Sequence, residues 1–259
     1  MEFFNIYFKN KLIYAQWMSG FLLFYSKKEY IMDKLNISKK SVLGNMIIRQ
    51  TMGGIRKEDK IKDKDNLIER IREEYDMQNS KTTYKLDLTM LDVSLVEDMS
   101  DLFSKDCEYS VLKSIDVSNW DMHNVRNMCG MFKNCYYLES VDVSKWDTGN
   151  VKDMSSVFCG CSSLKSIDVS KWDVSNVENL KYMFYMCMSL DDIDISKWDV
   201  SNVKDMYGMF YKCSSLKSID VSKWDASNVK DIHCMFYGCN FDYIKEGNKL
   251  IDIWRIWTV

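Results

Sequence analysis

Serine and aspartate alternate in a short stretch that returns every 26 residues: Ser114-Asp116-Ser118, Ser140-Asp142-Ser144, Ser166-Asp168-Ser170, Asp192-Asp194-Ser196 and Ser218-Asp220-Ser222. Carboxylates stacked about 5 Å apart repel by roughly 0.8 kcal/mol per pair in a water-like dielectric, so such a ribbon attracts cations or basic partners. Lys145, Lys171, Lys197 and Lys223 recur at one edge and offset part of that charge. Two readings follow for these fifteen residues. They form a recognition surface for a partner, or a solvated sheet face that keeps the chain soluble.

Two more columns share the period, Trp120-Trp146-Trp172-Trp198-Trp224 and Cys135-Cys161-Cys187-Cys213-Cys239. An exposed indole ladder would suit stacking on sugars or on a partner chain. A buried one would close the core where a strand turns, and the Trp phase, one step off the apolar alternation of the strand, fits the corner. The Cys column reads as small buried hydrophobes, and the total of nine cysteines leaves at least one without an intrachain partner. Zinc chemistry is not expected: Cys159 and Cys161 form C-x-C, Cys234 follows His233, and no C-x-x-C accompanies them. His123 stands in a column otherwise filled by Gly149, Ser175, Ser201 and Ser227. Every candidate acid recurs several times, as in a scaffold, and no nucleotide loop or Ser/His/Asp set stands out. The expectation is a chain with no catalytic residues, no cofactor and no metal.

The elements that must position these columns show in each repeat. Ile115 and Val117 alternate with polar neighbours, the period of a strand buried on one face. After Trp120 the apolar residues Val125, Met128, Phe132, Cys135 and Leu138 fall three or four apart, which predicts a short helix. Asp121 and Asn124 are turn and capping residues between the two. Fixed periods in the twenties mark solenoids, so the fold class expected is an α/β solenoid: a leucine-rich-repeat-like right-handed coil of 26-residue strand–turn–helix units with a helical N-terminal cap. Proline is absent, which suits a backbone committed to ladders. A net charge of −3 gives no basic excess for nucleic acid.

Residues 1–63 form an N-terminal arm. Its run from Leu12 to Tyr25 is short for a membrane span, and lysines flank it. The arm reads as a weak export signal, as a peripheral aromatic segment, or as sequence upstream of a start at Met32, and no membrane contact is expected of the repeats. Residues 64–111 hold a helix, with Leu67, Ile68, Ile71 and Tyr75 on one face and Asp65 as N-cap, followed by a degenerate first repeat with Leu91 in the Trp column. Residues 112–241 are the five regular repeats. In 242–259, Ile251, Ile253, Trp254, Ile256 and Trp257 could fold over the last unit as a cap, or stand as an exposed apolar tail for a membrane or a partner.

The pattern L-x-S-[IV]-D-[VI]-S-x-W-D-x-x-N-V, running into an apolar segment that ends in Phe and Cys, resembles the BspA-type leucine-rich repeat of bacterial and some protist surface proteins. The likeness covers residues 85–240. It implies a β/α leucine-rich solenoid, placement at the cell surface or outside the cell, and binding to a protein or to a cell-surface or matrix ligand. The free-thiol column and the weak export signal fit an intracellular interaction scaffold instead, so a cytoplasmic location stays open.

Overall fold

The structure is a computed structural model that describes residues 61–78, 84–104, 109–240 and 243–245. The chain divides into Met1–Lys57 and Glu58–Val259, and every described residue belongs to the second unit. The N-terminal arm through residue 60 and the apolar tail from Ile251 lie outside the described residues.

Helix α1 (Lys64–Gln78) comes first. Its N-cap is Asp63, whose Oδ1 accepts from the Asn66 N–H at 2.9 Å; the sequence reading had placed the cap at Asp65, inside the first turn. Leu67, Ile71 and Tyr75 are buried and Ile68 partly so, giving one apolar face. At the other end, the Gln78 side-chain amide donates to the Asp87 carbonyl at 2.7 Å and accepts from the Asp87 N–H at 2.8 Å. Asp87 closes strand β1 (Lys85–Asp87), so one amide satisfies an exposed strand edge as a neighbouring strand would.

From β1 the pairing is parallel. β2 (Ser114–Asp116) joins β1 with Leu86 opposite Ile115, and β3 (Ser140–Val141) joins β2 with Ile115 opposite Val141. Ser166 bridges Asp192 in the same sense. Farther along, β4 (Ser218–Asp220) pairs in parallel with β5 (Tyr243–Lys245). The strand position is thus used once more after Cys239, where the 26-residue pattern itself stops. A second parallel ladder runs through Asp98, Asn127, Asp153, Asn179, Asp205 and Asp231.

The expected helix in each repeat is not there. Residues 128–135 form tandem turns in which alternate N–H groups leave the unit: Met128, Gly130, Phe132 and Asn134 donate to the carbonyls of Asp153, Ser155, Val157 and Cys159 at 2.7–2.9 Å. The intervening groups close short turns, such as Lys133 N–H to the Gly130 carbonyl at 2.9 Å. A left-handed residue falls twice per unit, at Gly130 (φ 66°) and Asn134 (φ 63°), and so at Tyr182 and Met186 two units on. An α-helix cannot pass through such residues. The three-or-four spacing marked burial correctly, since Val125, Met128, Phe132, Cys135 and Leu138 are all buried, but turns deliver it.

Left-handed backbone costs a branched or long side chain about 1–2 kcal/mol, and glycine nothing. Met186 sits at φ 58° in a position that is glycine at Gly160 and Gly238. Met186→Gly is therefore expected to raise stability by about 1 kcal/mol, read as a higher urea midpoint at unchanged slope. Gly160→Ala should do the reverse, because its φ is 78° and the new Cβ would lie 2.8 Å from Asn134 Oδ1.

Among the described residues, no helix is long and apolar enough to cross a membrane.

Candidate interaction faces

Aspartate and asparagine side chains build the corners of each unit. Asp116, Asp121 and Asn127 accept through Oδ1 from the N–H two residues on, at Ser118, His123 and Cys129, and Asp168, Asp173 and Asn179 repeat the set. These are Asx turns, which let a short polar side chain satisfy a backbone donor at a sharp bend. Asn150, Asn176, Asn202 and Asn228 donate their side-chain amides to the carbonyls of His123, Gly149, Ser175 and Ser201 at 2.6–2.7 Å, tying each unit to the one before.

The Trp column is buried, with 2–6% of each residue exposed from Trp120 to Trp224. Each indole N–H donates backwards: Trp146 to Val117, Trp172 to Val143, Trp198 to Val169 and Trp224 to Ile195, at 3.0–3.2 Å. The thiols repeat the device from the other side. Cys161, Cys187, Cys213 and Cys239 donate to the carbonyls of Phe132, Phe158, Phe184 and Phe210 at 3.1 Å, and Cys135 stands farther from Phe103, at 4.0 Å. Between the two columns runs a Phe ladder, Phe103 to Phe236, with rings 5.1–5.5 Å apart and nearly parallel. The sugar-stacking reading of the tryptophans lacks an exposed ring face. Burial also pushes the Cys135 thiol up to about 12 and the Cys161 and Cys187 thiols up as well. These thiols are protonated and weakly nucleophilic.

The Ser-Asp-Ser ribbon lies outward. Asp116, Asp142, Asp168 and Asp194 are exposed, whereas Ser118, Ser144, Ser170 and Ser196 are half-buried and donate both N–H and Oγ–H to the aspartate two residues before. Ser222 donates its N–H to Asp220 in the same way. Hydrogen bonds from Ser144 and Ser170 hold the Asp142 and Asp168 carboxyls below the usual carboxylate range, so both stay charged into mild acid. The first hydroxyl of each set points to solvent or its margin, at Ser114, Ser140, Ser166 and Ser218. Across the first three regular repeats the ribbon floors a shallow groove of about 360 Å³, lined by Ser114, Asp116, Ser140, Asp142, Ser166 and Asp168 among others. One oxygen of each carboxylate serves the turn, and the charge remains available to solvent.

A second outward face had no counterpart in the sequence reading. In the last three repeats the tandem turns carry Tyr182, Tyr185, Tyr207, Tyr211 and Tyr237. Tyr185 stacks on Tyr211 at 4.8 Å and Tyr211 on Tyr237 at 5.2 Å, while Tyr182 meets Tyr207 edge-on at 5.2 Å. The Lys181 ammonium lies 5.3 and 5.2 Å from the Tyr182 and Tyr207 rings, and that of Lys212 lies 5.5 Å from the Tyr211 ring. The signal was present in the repeat alignment. The residue after each column Phe runs Lys133, Cys159, Tyr185, Tyr211, Tyr237, and it breaks pattern where its neighbours keep it.

Neither histidine joins a metal set. His123 and His233 each hydrogen-bond through Nδ1 to the aspartate that caps their own turn, at 2.6 and 2.8 Å. Among the described residues, no three His, Cys, Asp or Glu side chains are grouped to hold a metal ion.

The family described as "Mycoplasma protein of unknown function, DUF285" matches this sequence twice, over residues 69–167 and 153–248. No curated protein matches it. Among solved structures, the TLR13–ssRNA13 complex is similar at 14% identity and a TM-score of 0.35, over 71% of this chain and 27% of that one. The chain spans about a quarter of the length of that structure, and so slight a likeness says nothing of what this chain binds.

Proposed function

The chain belongs to the DUF285 family, and we propose that it is a non-enzymatic protein-interaction module, a leucine-rich-repeat-like solenoid of the BspA type that displays repeated faces to a partner at the cell surface or outside the cell. One observation carries the reading. Every repeat is bonded to the next through backbone, indole, thiol and asparagine amide, so the exposed columns are held at fixed spacing on a rigid support. Pre-organised surfaces lose little entropy on binding, the usual advantage of repeat scaffolds.

The Ser-Asp ribbon is the face proposed for a basic partner segment, since charge complementarity fixes register and speeds encounter. Reversing its charges to lysine would also remove the Asx turns, so the informative variant is Asp142→Asn/Asp168→Asn/Asp194→Asn, which keeps the Oδ1 acceptor and discards the charge. With octalysine as probe and the full chain as receptor, the triple variant should bind about tenfold more weakly than wild type at low salt, and wild-type binding should weaken as salt rises. Equal affinity in variant and wild type would sink the ribbon as a recognition surface.

An intracellular scaffold is the second reading, favoured by free thiols at all eight cysteines among the described residues. Labelling intact source cells with a membrane-impermeant amine reagent separates the two: labelled protein supports surface display, and labelling only after lysis supports the scaffold.

A further inference from the structure

We propose that the tyrosine–lysine face of the last three repeats is a second docking surface, and that its occupant is an acidic protein segment carrying aromatic or aliphatic side chains. The inference rests on the interaction-module reading but concerns different residues from the ribbon. Columns that recur in every repeat hold the fold: their Asp, Asn, Trp and Cys side chains all have structural partners. The tyrosines do not recur. They gather in three adjacent units at positions that are Lys133, Ser155, Ser156 and Cys159 earlier, and the backbone there needs no aromatic ring.

Their arrangement selects the partner. The 185-211-237 rings stack with interplanar angles of 8° and 14°, so both faces of Tyr211 and one face each of Tyr185 and Tyr237 are covered. Half-buried stacked phenols make an amphipathic, low-entropy contact of the kind used for protein surfaces. Tyr237, the last rung, is 60% exposed. Burial and Tyr211 push the Tyr185 phenol up, and Tyr182 does the same to Tyr207, so both hydroxyls stay protonated donors.

Charge gives the sign. The eleven half-buried or exposed positions 181–182, 185–186, 207, 211–212, 233–234 and 237–238 include Lys181, Lys212 and His233 and no Asp or Glu, in a chain whose net charge is −3. The flanking carboxylates, Asp205 and Asp231, cap the turns at Tyr207 and His233; Asp231 also holds the His233 ring and offsets part of the Lys181 charge, which leaves Lys212 the less compensated cation. A carboxylate-bearing segment would meet ammonium groups already desolvated on one side by tyrosine rings.

The test uses the full chain and a fluorescent random copolymer of glutamate and tyrosine, with polyglutamate and heparin as comparison probes. The copolymer is expected to bind, and Lys181→Gln/Lys212→Gln and, separately, Tyr211→Ser/Tyr237→Ser to weaken it about tenfold each. Circular dichroism melts confirm folding, and octalysine binding by the same variants should be untouched, which separates failure of this surface from failure of the ribbon. No copolymer binding, binding indifferent to both variants, polyglutamate binding as tight as the copolymer, or heparin binding lost in the same variants would each overturn the proposal.

Discussion

Trp172→Ala is expected to lower the stability of the folded chain by about 4 kcal/mol, the largest effect of any single side chain in the central repeats. The indole is 4% exposed, stacks on Trp146 at 6.0 Å, and packs tilted against Phe158 at 6.4 Å. Its removal opens a cavity between two ladders that cannot close without shifting adjacent units. Trp172→Phe separates the contributions. The ring is largely restored, and what is lost is the N–H to the Val143 carbonyl, which keeps its bond from the Trp146 backbone at 3.2 Å. That variant should cost about 1 kcal/mol. Urea midpoints at constant slope measure both. Equal losses for the two variants would mean that the hydrogen bond, not the packing, carries the column.

Alkaline pH should unfold the protein steeply, and the buried thiols are the reason. Cys135, Cys161 and Cys187 have raised thiol pKa values in the folded chain, Cys135 reaching about 12, against an ordinary value of 9.0. Below pH 9 both folded and unfolded chains keep these protons, and the thiols add no pH dependence. Between pH 9 and about 12 the unfolded chain releases them and the folded chain does not, so stability falls as pH rises. Each such thiol contributes about 1.4 kcal/mol per pH unit, and three together about 4 kcal/mol. Cys187→Ala should make the decline shallower by one thiol's share whatever it does to stability at neutral pH. Urea titrations at half-unit steps from pH 8 to 10.5 read this slope, and a slope identical in wild type and Cys187→Ala would contradict it.

Much of this fold is legible in the residues because repetition averages out local ambiguity. A single Ile-Asp-Val or Trp-Asp pair says little; the same pair in one column fixes register, strand face and corner. Legibility fails where two geometries give one spacing. Met128, Phe132 and Cys135 sit three or four apart both in a helix and in tandem turns that insert a left-handed residue every fourth position. The discriminating sign was Gly and Asn at Gly130, Asn134, Gly160, Gly208 and Gly238, residues that tolerate positive φ and weaken helices. The side-chain ladders to carbonyls 29 residues back were not readable at all, because sequence shows that Trp and Cys are apolar but not where an N–H or S–H points. Among the exposed residues, the repeated ribbon drew notice through its regularity. The tyrosine face is hard to read from sequence because it departs from the repeat.

Buried columns hold the units together, and the exposed faces are the surfaces proposed to meet partners. The most direct test of that division is a crossed titration: wild type, the ribbon variant Asp142→Asn/Asp168→Asn/Asp194→Asn and the face variant Lys181→Gln/Lys212→Gln, each against octalysine and the glutamate–tyrosine copolymer at matched salt. The predicted result is that each variant loses its own probe by about tenfold, keeps the other, and unfolds at the wild-type urea midpoint. Folded variants that bind both probes as wild type does, or that lose both together, would contradict it.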